Sequence, residues 1–218
     1  MSGGARQTCT AAKPEADHYA RSEAKIMPDA LELLNTRRSI SAAFLGPPAP
    51  SDAELARMLT VAARVPDHGK LTPWRFIVFS GDAGLRAGEL LAAAFAAKNP
   101  GADAARVAEE GRRLAQAPLV VAVVSTAAPH VKIPEWEQLL SAGNAAMNLI
   151  LAAHALGYAA QWTTGFPAYD RDAAGVLGVT GRERIIAFIH IGTPTVPPVE
   201  RPRPALGSIV TRWEPPGG

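Results

Sequence analysis

The sequence predicts an α+β fold, and two observations lead to this class. Four short segments are rich in apolar and β-branched residues and have the length of buried strands, whereas several longer segments have helical periodicity. Strands and helices do not strictly alternate along the chain, which favours α+β over a doubly wound parallel sheet. The 218 residues, of which 48% are hydrophobic, suffice for one domain of ordinary to large size or for two small ones.

Helices are predicted from apolar periodicity and from residues that start or stop a helix. Ser51 or Asp52 can cap the second helix, and Pro66 stops it. In "EEGRRLAQ" of the fourth helix, Arg112 and Arg113 are predicted to lie on a solvated, charged face. The predicted helices span residues 28–37, 52–65, 83–98, 102–115, 135–156 and 170–177.

Strands are predicted from apolar runs that are bounded by polar residues, proline or glycine. The stretch "TPTVPPVERPRPALG" is rich in proline and is predicted to be extended rather than helical. The segment "SIVTRW" (208–213) after it is a candidate edge strand. The predicted buried strands span residues 75–80, 119–126, 158–164 and 184–192.

The longest predicted helix, "EWEQLLSAGNAAMNLILAAHALGY", is apolar nearly all round. Such a helix is either buried or packed against a partner, so it is a candidate for an interface with a second subunit. Gly157 is the predicted C-terminal cap. One stripe of the helix recurs at spacings of three or four residues and consists of Leu139, Gly143, Met147, Ile150 and His154.

Charge and cysteine content narrow the class of protein. The 22 basic and 20 acidic residues give a net charge of +2, which argues against binding nucleic acid through bulk charge. The single cysteine, Cys9, excludes an intramolecular disulfide, and the apolar runs are too short to span a membrane. Residues 1–26 are predicted to form a polar, flexible tail, and residues 27–218 a single domain. We expect a cytoplasmic protein.

Several common catalytic motifs do not occur in the sequence. It contains no G-x-G-x-x-G dinucleotide fingerprint, no P-loop and no G-x-S-x-G nucleophile elbow. The five histidines do not have the spacing of metal ligands. His154 and His190 fall on apolar elements and are predicted to be packed, whereas His130 lies in a polar loop and is predicted to be solvated.

The segment Arg37-Arg38-Ser39 places two guanidinium groups and a hydroxyl at the end of the first predicted helix. A guanidinium can bond two oxygens of a phosphate at once, so the segment is a candidate phosphate site. The alternative is that the two cations only complement the dipole at the C-terminus of the helix.

Two further segments carry polar groups beside an apolar strand. In "VPDHGKLTPWRFIVF", a loop with His68 and Thr72 runs directly into the strand over residues 75–80. Functional loops are often held in this way, although a surface turn looks the same in sequence. In "WTTG" (162–165), hydroxyl and backbone N–H groups at a strand end suit the polar edge of a ring. The alternative is a strand end turned by Gly165, with the tryptophan in the core.

In this order, the segments resemble the flavin-dependent nitroreductase family, and more narrowly a small bacterial branch of it. The resemblance extends from residue 29 to about residue 195. The motifs that carry it are "DALELLNTRRS", "VPDHGKLTPWRFIVF", "IPEWEQLLSAGNAAMNLILAAHALGYAAQWTTG" and "IIAFIHIGTP".

The resemblance implies a nitroreductase-like α/β/α sandwich with a central, mostly antiparallel sheet of four to five strands. It also implies noncovalent FMN and a homodimer whose interface builds two shared active sites. In such proteins the R-R-S segment holds the FMN phosphate and ribityl region, and the loop histidine and the residue four after it contact the flavin of the neighbouring subunit. The implied cofactor-binding residues are Arg37, Arg38, Ser39, His68, Thr72, Trp162, Thr163 and Thr164.

The activity that the resemblance implies is that of an FMN-dependent oxidoreductase. NAD(P)H would be the reductant, and a nitroaromatic, quinone or similar electron-poor small molecule the acceptor, in a ping-pong hydride transfer without a catalytic side chain or a metal. A flavin-binding or flavin-storage protein with little turnover is the alternative, and a flavin-free phosphoester or nucleotide binder that uses Arg37 and Arg38 is a third hypothesis. Relatives often have Gln at the position of Thr72. Many also place a basic residue after the last strand against the phosphate, for which Arg201 and Arg203 are both candidates.

Overall fold

A central five-stranded sheet organises the chain, and helices cover both of its faces. The structure is a computed structural model that describes residues 29–216, so the predicted tail over residues 1–26, including Cys9, lies outside the described residues. Every strand pairing in the sheet is antiparallel, which confirms the predicted α+β class and sandwich. The strands are β1 (Leu45–Gly46), β2 (Trp74–Ser80), β3 (Leu119–Ser125), β4 (Ala159–Thr163) and β5 (Arg184–Pro194).

The helices agree with the predicted segments, and local residues explain several of their ends. Ser51 caps the second helix, and its hydroxyl and the Glu54 carboxylate form a reciprocal capping box. Gly157 has a φ of 89° directly after the longest helix, as a C-terminal cap requires. The helices are α1 (Ala30–Thr36), α2 (Asp52–Ala62), α3 (Asp82–Lys98), α4 (Ala104–Arg112), α5 (Glu135–Ala155), α6 (Phe166–Tyr169) and α7 (Arg171–Val176).

Strand β3 lies inside the sheet between β2 and β5, and all of its residues are buried. Its side chains alternate between two apolar cores. Val121 packs with Met58 of α2 and Leu149 of α5, whereas Val120 packs on the other face with Leu91 of α3. Because helices cover both faces, the strand is a continuous apolar run rather than an alternating one.

The C-terminal segment corrects one prediction, because residues 208–213 do not form an edge strand. The backbone makes a single 3₁₀ turn at Leu206–Ser208 and is irregular after it. Residues 208–213 are all exposed, and none of them pairs with a strand of the sheet. Strand propensity depends on a neighbouring strand and a packed face, and the segment has neither within this chain.

Two elements of the structure are not predicted by the sequence, namely β1 and α6. They have two and four residues, which is too short for a periodic pattern to show. Within residues 29–216, none of the helices has both the length and the apolar character needed to cross a membrane.

Candidate functional site

An open cleft of about 950 Å³ lies where the N-terminal half of α5 meets the ends of β4 and β5. Its volume is in the range of sites that bind cofactors or drug-sized ligands. Leu139 and Gly143 of α5, Trp162 of β4 and Ile186 of β5 form its apolar wall. The polar side consists of Glu135, Thr164, Tyr169, Asp170, Arg171, Arg182, Glu183 and Arg184.

Two backbone features shape the wall of this cleft. The register between β3 and β5 shifts between Val123 and Val124, so Ile186 is an extra residue in a β-bulge, a feature that is common beside active sites. Gly143 lies inside helix α5, where glycine costs about 1 kcal/mol relative to alanine. A Cβ atom at Gly143 would have no neighbouring atom within 4 Å, so packing within this chain does not require the glycine.

The predicted segment at the end of β4 is divided between two environments. Trp162 is 39% exposed and lines the cleft, together with Thr164. Thr163 does not line it, because its Oγ1 atom lies 3.0 Å from Nε2 of the buried His190 on the other face of the sheet. The Thr164 hydroxyl accepts a hydrogen bond from the Tyr169 hydroxyl. The structure therefore places Trp162 and Thr164, but not the Thr163 side chain, at the cleft.

Arg113 supports the same segment from behind, which the sequence prediction missed. Its side chain is only 19% exposed, so the predicted solvated position is wrong, whereas Arg112 is exposed as predicted. Helix α4 gives way to a 3₁₀ turn at Arg113, which directs this side chain inward. There it pairs with the fully buried Glu110 and donates to the carbonyl oxygen of Thr164. The sequence contains a signal for this pairing. Glu110 follows Arg106 by four residues and precedes Arg113 by three, and side chains at these spacings meet on a helix.

A cationic cluster of Arg37, Arg38 and Arg203 lies beside His154 at the C-terminal end of α5. Helix α1 packs against α5 there. Partial burial, followed by the charges of Arg203 and Arg38, lowers the pKa of Arg37. Burial, followed by the charge of Arg37, lowers the pKa of His154 to about 4, so this imidazole is neutral at pH 7. Its buried Nε2 atom has no hydrogen-bond partner among residues 29–216. Because Arg37 and Arg203 have no carboxylate partner among the described residues, the site suits an anion.

Arg38 and Ser39 have different environments from Arg37. The Nε atom of Arg38 donates to the carbonyl oxygen of Val199 at 3.0 Å and lies 3.7 Å from the Glu200 carboxylate. Arg38 therefore holds the C-terminal segment in place. Ser39 is exposed beside it. In the part of the chain that the structure describes, Arg37 and Arg203 form no ion pair.

The loop with His68 and Thr72 is a tightly bonded turn whose side chains point to solvent. The Asp67 carboxylate accepts the backbone N–H groups of Leu71 and Thr72 at 3.0 and 2.9 Å. His68 is 63% exposed and bonds Glu137 of α5 through Nδ1. Lys70 and Thr72 have φ angles of 56° and 49°, which is unusual for residues with side chains and is often associated with functional sites.

The predicted residues occupy two different sides of α5. The apolar stripe from Leu139 to His154 connects the cleft to the cationic cluster, and the eleven helical steps from Gly143 to His154 span about 16 Å. The loop is bonded to Glu137 and Ser141, which lie about 140° around the helix from that stripe at 3.6 residues per turn. A single chain therefore carries the cleft and the cationic cluster on one side of α5, the stripe face, which runs from Leu139 to His154. It holds His68 and Thr72 on another side, the loop face, which contains Glu137 and Ser141.

The two packed histidines were predicted correctly, since His190 is 1% exposed and the Nε2 atom of His154 is buried. His190 also has a pKa lowered to about 4, by burial and then by the charge of Arg113. Among residues 29–216, no three metal-ligating side chains are grouped as a metal site.

Comparison with known proteins gives the family of the chain. Residues 34–193 match the family model described as "Nitroreductase family". The chain is 34% identical over 166 residues to "Putative NAD(P)H nitroreductase YdjA" of Escherichia coli, which covers 76% of this chain and 88% of that protein. It is 39% identical, with the same coverage, to a "Putative NAD(P)H nitroreductase" of Haemophilus influenzae.

Solved structures show the same fold. A nitroreductase-like family protein from Bacillus cereus superposes with a TM-score of 0.73 at 19% identity, covering 90% of this chain and 100% of that one. A nitroreductase with bound FMN from Bacteroides fragilis gives a TM-score of 0.62 at 22% identity, covering 84% and 98% of the two chains. With the family model matched over most of its length and two relatives above 30% identity, the chain belongs to the nitroreductase family.

Proposed function

We propose that this protein is an FMN-dependent oxidoreductase that uses NAD(P)H to reduce nitroaromatic, quinone or similar electron-poor small molecules. Bound FMN would supply the redox chemistry, and the protein would supply position and electrostatics. NAD(P)H and the acceptor would occupy the cleft in turn, which predicts ping-pong kinetics. Two relatives carry NAD(P)H nitroreductase in their names, and one structure of the same fold contains FMN.

One observation carries this proposal, namely the continuous stripe of α5 between an apolar cleft and a cationic cluster. Trp162 provides an aromatic surface at the cleft, and Arg37 with Arg203 provides unbalanced positive charge about 16 Å away along the helix. A ligand with a flat ring at one end and a phosphate at the other fits this division. FMN has these two parts.

The residues of the chain would then have distinct roles. Arg37, with Arg203 and the Nε2 atom of His154, would hold the phosphate, and Arg38 would act indirectly by fixing the segment that carries Arg203. Ser39 would face the ribityl chain. The remaining predicted contacts, Trp162, Thr163 and Thr164, would meet the ring, Thr163 through its backbone because its side chain points to His190.

We further propose a homodimer in which His68 and Thr72 reach the FMN of the partner. The loop is bonded to a different side of α5 from Leu139 and Gly143, and none of residues 66–72 lines the cleft of its own chain. Trp136 and Leu140 of α5 are 62% and 57% exposed, and the C-terminal segment exposes the apolar side chains of Leu206, Ile209 and Trp213. A second copy of the chain would cover these surfaces.

The proposal includes two coarser features of the protein. Residues 27–218 would act as one FMN-binding domain behind a tail of residues 1–26, and the protein would work in the cytoplasm. The single cysteine, which excludes an intramolecular disulfide, fits a reducing compartment and supports the second point.

An absorbance spectrum of the purified protein, before and after anaerobic addition of NADPH or NADH, tests the function directly. We expect a flavin spectrum that is bleached by at least one of the two nucleotides and restored by a quinone or a nitroaromatic. Bound FMN that neither nucleotide reduces over minutes would favour a storage protein. A colourless protein that binds no added FMN would contradict the proposal.

Mixing two variants tests whether the sites are shared. Arg37→Ala and His68→Ala each damage every site of their own homodimer. In a mixed dimer with shared sites, one site carries both substitutions and the other carries neither. Random exchange of subunits should therefore restore about one quarter of all sites. No recovery after proven exchange would mean that both residues serve the site of their own chain.

A further inference from the structure

The buried pair of Arg113 and Glu110 lies directly behind the strand end that borders the cleft. Arg113 Nε and Nη2 donate to the two oxygens of Glu110 at 2.7 and 2.8 Å, in a bidentate arrangement. Arg106 donates to the same carboxylate, which is fully buried. This leaves Nη1 of Arg113 for the carbonyl oxygen of Thr164, at 3.2 Å.

Stability alone is a weak explanation for this pair. Desolvation of two buried charges can exceed their attraction, and apolar residues of similar volume often serve stability as well or better. Gly165 adds a second link between Arg113 and the strand end. It has a φ of 110°, and a Cβ atom there would come within 2.8 Å of Arg113 Nη1. The guanidinium therefore occupies the space that a side chain at residue 165 would need.

The orientation of one peptide group follows from this contact. In a trans peptide the carbonyl oxygen and the next N–H point in opposite directions, so the Gly165 N–H points away from Arg113. Within residues 29–216 this N–H makes no hydrogen bond. Thr164 lines the cleft and Arg113 does not. A charged donor on the carbonyl also polarises the peptide and makes its N–H a stronger donor.

We propose that Arg113 is a positioning residue for the cofactor. It orients and polarises the Thr164–Gly165 peptide, so that the Gly165 N–H stabilises the negative charge that FMN gains on reduction. This inference rests on the proposed function and adds a residue that does not touch the ligand. Glu110 holds the guanidinium in register, and Arg106 holds Glu110. Burial, followed by the charge of Arg113, also lowers the pKa of His190 beside this strand end.

The midpoint potential of bound FMN tests the proposal in the purified holoprotein. Arg113→Gln should weaken the binding of reduced FMN by about tenfold more than that of oxidised FMN, which makes the potential about 30 mV more negative. Arg112→Gln is the matched control, because it removes the same charge from the exposed neighbouring residue. Its potential should equal that of the unchanged protein.

Two further variants separate positioning from folding. Arg113→Lys keeps the charge and should recover part of the potential. A Glu110→Gln and Arg113→Gln double variant buries no carboxylate and should show the same negative shift as Arg113→Gln. An unchanged potential in Arg113→Gln, an equal shift in Arg112→Gln, or folded variants that no longer bind oxidised FMN would each overturn the role of Arg113. If the unchanged protein binds no FMN, the proposed function itself fails.

Discussion

The stripe face and the loop face of α5 both lie beside predicted site residues, but these residues are partly buried on the stripe face and exposed on the loop face. On the stripe face, the cleft and the cationic cluster are already assembled within one chain, with the Nε2 atom of His154 buried and Arg37 half-buried. On the loop face, His68 and Thr72 are exposed, and they are held in shape by Asp67 and Glu137 rather than by any ligand site.

The two faces therefore have different roles in the proposed site. The stripe face has unbalanced cations and a glycine without a packing role, which are features that only a ligand or a partner would complete. The loop is fixed by hydrogen bonds to Asp67 and Glu137, yet it keeps strained backbone at Lys70 and Thr72. A rigid loop presented to solvent suits an element that acts on a second copy of the chain.

The largest effect is expected from removing the anchor of the stripe face. Arg37→Ala should weaken FMN binding by about tenfold to a hundredfold, since a bond between charged groups contributes about 1.5–3 kcal/mol. Fluorescence titration of the apoprotein with FMN measures this. Arg86→Ala removes the same charge from the exposed surface of α3 and should leave the affinity unchanged. An equal loss of FMN affinity in both variants would show that only the net charge of the protein matters.

Acid should destabilise the stripe face through His154. The pKa of His154 is lowered to about 4 in the folded state and is near 6.5 when unfolded, so its contribution is complete above pH 6.5 and is lost as the pH falls towards 4. Between pH 7 and pH 5 the unchanged protein should lose about 2 kcal/mol more unfolding free energy than His154→Asn. Urea unfolding at both pH values measures the difference. The same pH dependence in both proteins would contradict it.

The sequence was sufficient for the elements of this comparison but not for their arrangement. Apolar runs predicted the four main strands, and the 3.6-residue period predicted α5 and its stripe. The placement of the loop depends on hydrogen bonds from Ser141 to Pro66 and from His68 to Glu137, between residues far apart in sequence. Arg113 was missed because its charge was assigned to a solvated face, although its spacing of three residues from Glu110, which is fully buried, indicated a pair.

A smaller effect separates the two candidate arginines of the C-terminal segment. Arg203→Ala should weaken FMN binding by about tenfold, because the charge of Arg203 acts on Arg37 in the cationic cluster. Arg201 has its backbone N–H on Glu200 and does not contribute to that cluster, so Arg201→Ala is a close control. The same titration compares them. A loss in Arg201→Ala alone would move the phosphate contact to the other residue.

The smallest effect is expected at Gly143, where the stripe face borders the cleft. Gly143→Ala should raise the unfolding free energy of the apoprotein by about 0.5–1 kcal/mol, because alanine restricts the unfolded chain and meets no neighbouring atom within 4 Å. Gly175→Ala in α7 is the control, since that helical glycine also has open space around it and does not line the cleft. Both variants should be stabilised in urea, but only Gly143→Ala should bind FMN more weakly, because its methyl group would project into the cleft. If both variants bind FMN equally well, the ligand does not approach this face of α5, and the glycine is explained by contact with a second subunit instead.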